Sequence, residues 1–158
     1  MFPSKLIRSA AALAAMFSCG AVFAADAKDL AVSATVTGVC KLQTVPAMAF
    51  TLDPSAASDT TETSVVTYKC TKGTAAPTVL LGPTGGAASP YSGTLVGSGT
   101  AAGESIAYTV TWNNPTLAGT GFSAADQSFT LSGEVLGTSF SGVKAGPYAA
   151  TVSVNITP

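Results

Sequence analysis

Histidine is absent from all 158 residues, and no arginine follows Arg8. Without histidine, Ser-His-Asp triads, Cys-His dyads and most zinc sites are excluded. Beyond residue 24 the charges are five lysines against eight carboxylates, a net charge of −3. Phosphate recognition needs a basic face, so no nucleic-acid partner is expected, and a polybasic membrane-surface role fails for the same reason. The glycines between Gly82 and Gly103 precede no helix and no Lys-Ser/Thr pair, so they are no phosphate loop. Asp53, Asp59 and Glu62 fall in a turn-rich segment and read as solvated loop charges rather than a catalytic carboxylate pair. No catalytic residue, cofactor site, metal site or small-molecule substrate is expected, and an enzyme is the least favoured class.

The first 24 residues have the layout of a signal peptide. Lys5 and Arg8 form a basic start, Ser9 to Val22 is an Ala-rich apolar run, and small residues follow. Cleavage after Ala24 places Val22 and Ala24 at the two specificity positions, and the run is too short to cross a bilayer comfortably. Met16-Phe17-Ser18 makes a poor lipobox before Cys19, so Cys19 is expected to leave with the signal. Residues 25–158 suffice for one domain with a real core. The two remaining cysteines, Cys40 and Cys70, are expected to form a disulfide in an oxidising compartment. A metal pair would lack every other ligand.

Period-two alternation recurs along the mature chain and helical periodicity does not. Leu30, Val32, Ala34 and Val36 alternate with small and hydroxyl residues. Met48, Phe50 and Leu52 do the same up to the Asp53-Pro54 turn, and Val66, Tyr68 and Cys70 up to Lys72-Gly73. Thr78 to Leu81 stops at Gly82-Pro83, and Ile106, Tyr108, Val110 and Trp112 end at Asn113-Asn114-Pro115. Phe129, Leu131 and Val135 form another strand, with Gly133 a candidate bulge. Tyr148, Ala150, Val152, Val154 and Ile156 form the last. Thr84 to Gly103 reads as a hairpin or long loop around Thr94 to Val96. About seven short strands with Gly/Pro turns predict an all-β, antiparallel sandwich. Trp112, Tyr108, Phe50, Phe129 and Tyr148 lie on apolar strand faces and are expected in the core, whereas Tyr91 and Phe122 lie in predicted loops.

The placement of the first alternating run is informative: it begins a few residues after the cleavage site and precedes Cys40. It is either the first strand of a self-complete sandwich or an arm for another molecule's sheet. Its order with the rest, namely Cys40, Phe50 before Asp53-Pro54, Val66-Thr67-Tyr68-Lys69-Cys70-Thr71-Lys72-Gly73, Ile106 to Trp112 and Ala145-Gly146-Pro147-Tyr148, resembles the spore coat protein U domain family. That domain is the fold of archaic chaperone–usher pilus subunits such as the Csu pilins. The Cys-Thr-x-Gly after the second cysteine and the Ala-Gly-x-Tyr before the last strand carry the resemblance most specifically.

The resemblance implies an immunoglobulin-like sandwich lacking its last strand. Residues 25–38 would be a donor-strand arm with Leu30, Val32, Ala34 and Val36 as its buried face, and residues 39–158 the pilin-type domain. Val152, Val154 and Ile156 would border the open groove. The implied partners are neighbouring subunits, a periplasmic chaperone and an outer-membrane usher. The implied location is the cell surface or beyond, with a role in adhesion and biofilm formation. A self-complete secreted or coat protein, and an adhesive surface-binding domain, are the competing expectations.

Overall fold

The computed structural model describes residues 26–56, 58–84 and 86–158. The signal-peptide reading of residues 1–24 lies outside them. Two units divide between Ala34 and Thr35. The described residues of the first, 26–34, belong to no strand or helix. Thr35–Pro158 is an antiparallel all-β sandwich.

Its strands are β1 (Cys40–Thr44), β2 (Thr60–Cys70), β3 (Thr78–Gly82), β4 (Tyr91–Gly97), β5 (Ser105–Trp112), β6 (Gln127–Val135), β7 (Tyr148–Ala149) and β8 (Ser153–Thr157). An α-helical turn, α1 (Gly137–Phe140), follows β6. One sheet has the order β1-β2-β6-β5-β4-β7, and the second consists of β3 and β8. Alternation sets the faces, because successive side chains of a strand point to opposite sides. Val66, Tyr68 and Cys70 of β2, Phe129, Leu131 and Val135 of β6, and Ile106, Tyr108, Val110 and Trp112 of β5 point inward and are buried. Thr61, Thr63, Thr130, Ser132, Thr109 and Thr111 point outward, giving the six-strand sheet a hydroxyl-rich face that also carries Glu134 and Lys69. Val79 and Leu81 of β3 close the core from the opposite side.

The expected disulfide is present. Cys40 and Cys70 are direct partners in the β1–β2 register and are bonded. Trp112 ties the two sheets together: its indole N–H donates to the Val79 carbonyl (3.1 Å) while Asn114 Oδ1 accepts from the Val79 amide (2.9 Å). The two motifs that carried the family resemblance have physical explanations. Thr71, after the second cysteine, receives the Val39 amide on its hydroxyl (3.1 Å) and donates its own amide to the Val39 carbonyl (2.9 Å). Gly73 then takes φ +79°, a left-handed turn that a side chain would strain. At Gly146 a Cβ would stand 2.8 Å from both Ala101 Cβ and Thr100 Oγ1, so only glycine lets that turn dock on residues 98–101. Tyr148 closes it by donating its hydroxyl to the Lys144 carbonyl (2.7 Å).

Several expectations are corrected. The 148–156 run is not one strand: β7 pairs with β4 in the large sheet, and after 150–152 the chain crosses to β3 as β8. Gly133 makes no bulge, since its pairing with Glu62 and Val110 is in continuous register. The irregularity lies instead between Leu42 and Thr44. Tyr91 is no loop residue but opens β4, half-buried, with its ring 6.2 Å from that of Tyr108. β2 starts at Thr60, so Glu62 is on a strand, and the Asp59 carboxylate accepts from the Gly137 amide at the start of α1 (2.9 Å). The Asp53 turn forms as expected. Its carboxylate accepts from the Ser55 hydroxyl (2.6 Å) and amide (2.9 Å), which hold its pKa below the usual carboxylate range.

Candidate functional site: an apolar slot beside the last strand

Met48, Phe50 and Leu52 do not form the expected strand, although their alternation is realised. Residues 45–52 run extended with those three side chains half-buried against the core and no ladder partner. The Ser64 hydroxyl donates to the Pro46 carbonyl (2.8 Å) and holds one end of the segment to β2. Gly133 makes room for it: a Cβ there would overlap Met48 Sδ and lie 2.8 Å from Phe50 Cζ. The segment is therefore a strand in pattern and position that lacks a hydrogen-bonding neighbour.

Opposite it stands β8, and the polarity of its edges can be read from β3. Val79 directs its amide and carbonyl to Asn114 and Trp112, away from β8. Leu81 exchanges both of its backbone bonds with Ala87 (2.9 and 2.8 Å), also away from β8. The outer edge of β3 is thus capped. In an antiparallel ladder, residues opposite such non-bonded positions also point their backbone groups outward. Val79 faces Ile156 and Leu81 faces Val154, so Val154 and Ile156 present N–H and C=O on the far side of β8. Among the described residues no backbone bond is made there. An uncapped edge of this kind is a template for another strand.

Between Val154 of this edge and residues 45–50 lies a cavity of about 310 Å³, adjoined by a second of about 590 Å³ between residues 48–54 and 143–150; the two share Met48, Phe50, Leu95 and Ala150 in their lining. Ile106 and Phe140 floor one, and Tyr108, Val110 and Leu131 the other. Val154 of β8 and Val152 just before it form the wall on that side. Burial pushes the Tyr108 phenol up to about 12, reinforced by neighbouring Tyr91, so this floor stays neutral across the physiological range. The slot is largely apolar, with charged Lys144 in the lining of its larger cavity, and backbone donors and acceptors edge it at β8. Chemically, it can accept an extended apolar segment. Among the described residues no group of three His, Cys, Asp or Glu converges on a metal-sized site.

Of the residues singled out in the sequence, Val152 and Val154 line the smaller cavity and Ile156 lines neither; all three are half-buried against the core. Leu30 and Val32 are each 85% exposed and Val36 is 82% exposed, and residues 26–39 are assigned to no strand. Sequence reasoning did not identify the opposite wall, Met48 and Phe50, as part of a site. Their signal was an alternating run whose neighbour in the sheet could not be named. The family model of the Spore Coat Protein U domain matches residues 26–155. No curated protein and no solved structure matches the chain.

Proposed function

Since the chain belongs to the Spore Coat Protein U domain family, a family consistent with coat or pilus subunits, we propose that it is a structural subunit of an archaic chaperone–usher pilus that polymerises by donor-strand exchange. The observation that carries the reading is the slot. Its smaller cavity is bounded by the uncapped β8 edge at Val154 and by the unpaired segment 45–50, while the same chain carries an exposed alternating apolar run at Leu30, Val32, Ala34 and Val36.

Strand addition draws affinity from main-chain bonds and specificity from alternate side chains. Here Leu30, Val32 and Val36 would each gain about 1.5–3 kcal/mol on full burial. A neighbour's arm in the slot gives a head-to-tail contact that does not close, hence a filament. In this reading a periplasmic chaperone occupies the slot before assembly, an outer-membrane usher exchanges it, and the fibre supports adhesion and biofilm formation at the cell surface.

The test is deletion of residues 25–37, with and without a candidate chaperone. A stable chaperone-bound subunit that no longer polymerises supports the reading. A domain that unfolds even beside a chaperone would mean that the run is needed internally. Replacing Val32→Asp in the full chain is expected to abolish fibres and leave the domain folded, because an unpaired carboxylate in the slot is costly. Undiminished fibres would exclude Val32 from the donor face.

A further inference from the structure

Donor-strand exchange, on which this inference rests, constrains more than the slot, because the arm is tied to its own domain almost immediately. The last donor residue is Val36. Three residues later Val39 exchanges bonds with Thr71, donating to its hydroxyl (3.1 Å) and accepting from its amide (2.9 Å). The Thr71 hydroxyl also reaches the Thr37 carbonyl (3.3 Å), and Cys40 is bonded to Cys70. There is little slack, since a Cβ at Gly38 would stand 3.1 Å from Thr74 Oγ1. Three extended residue steps span at most about 10–11 Å, roughly the separation of two packed sheets. A neighbour holding Val36 in its slot must therefore touch the surface around Val39.

That surface carries two large apolar side chains on a rigid strap. Residues 117–122 are laced to the turn after Cys70 by Gly73 N–H to the Gly119 carbonyl (2.9 Å), Gly119 N–H to the Thr74 carbonyl (2.9 Å) and Gly121 N–H to the Cys70 carbonyl (3.0 Å). Lys69 Nζ adds a bond to the Phe122 carbonyl (3.2 Å). Held on this strap, Leu117 is 68% and Phe122 42% exposed, and Val39, bonded to Thr71 of the same turn, is 39% exposed. Scattered exposed apolar residues need no explanation, but these stand on the strap that flanks the point where the arm leaves.

We propose that Val39, Leu117 and Phe122 form a second contact between successive copies of this chain, separate from the donor strand, which fixes the angle between neighbouring domains. The partner is a second copy because the tether is too short to admit anything between.

Photoreactive benzoylphenylalanine at position 117 or 122 of the full chain should give covalent dimers on irradiation of assembled fibres and none from the monomeric, arm-deleted protein. Fibres that yield no dimer from either position overturn the contact while leaving strand exchange standing. An intact chain that forms no fibres overturns strand exchange and this contact with it. Independently, inserting four Gly/Ser residues between Thr37 and Gly38, or combining Leu117→Ser with Phe122→Ser, should leave fibres that still form but whose persistence length in negative-stain images falls at least about threefold, as a flexible linker replaces a fixed joint. An unchanged persistence length in both variants overturns the inference.

Discussion

Removing the disulfide should cost this domain more than any single core contact. Cys40 and Cys70 are 30 residues apart. On the chain-entropy relation a closed loop of that length lowers the entropy of the unfolded chain by about 12 cal/mol/K, about 3.6 kcal/mol at 25 °C. For a domain of this size each kcal/mol moves the melting temperature by about 4 °C, so the Cys40→Ala/Cys70→Ala double variant should melt about 15 °C below the oxidised parent. The double variant is preferred to a single one because it leaves no free thiol to cross-link copies. The assay is thermal melting of residues 25–158 followed by far-ultraviolet circular dichroism, with a denaturant titration to check that the slope is shared. A drop under about 4 °C would refute the reasoning, because the bond would then constrain little in the unfolded chain. The closed loop contains residues 45–52, one wall of the slot. The same variant should therefore also assemble fewer fibres under conditions where its domain remains folded.

Other outcomes can be set out more briefly. Trp112→Phe keeps the ring in the core but strands the buried Val79 carbonyl, and should cost about 1–3 kcal/mol by denaturant titration. Gly133→Ala places a methyl against Met48 and Phe50. It should destabilise the domain by about 1–3 kcal/mol and reduce fibre yield in a sedimentation assay, and full yield at unchanged stability would show that the 45–52 wall is free to move. Tyr108 is raised by burial from 10 to about 12, so its neutral form is the one the fold favours. The stability this contributes is complete below pH 10 and lost as pH rises through about 12. Melts across that window should show the loss, and Tyr108→Phe should lessen it.

What the sequence by itself determined is the part that depends on period and on residue type. Alternation decided which side chains of β2, β5, β6 and β8 face the core, because inward and outward positions on a strand are fixed by parity. The absence of histidine spoke against histidine-dependent catalysis, and the scarcity of positive charge against a nucleic-acid partner, before any geometry was known. With only two cysteines beyond residue 24, Cys40 and Cys70 had one pairing with each other open to them. Both edges of the slot were visible as alternating runs, at 48–52 and 152–156.

What only the tertiary structure decided is hydrogen-bond partnership across long separations. Parity cannot say whether Met48, Phe50 and Leu52 have a neighbouring strand, and here they have none among the described residues. Nor can it show that the run from Tyr148 to Ile156 leaves one sheet for the other, since alternation survives the crossing. Gly133 looked like a bulge because an isolated glycine in a strand reports either irregular pairing or close approach, and only the position of Met48 and Phe50 distinguishes the two. The capping of β3 by Trp112, Asn114 and Ala87 is what directs Val154 and Ile156 into an open edge. The pattern supplied a strand's face, and the fold supplied its missing neighbour.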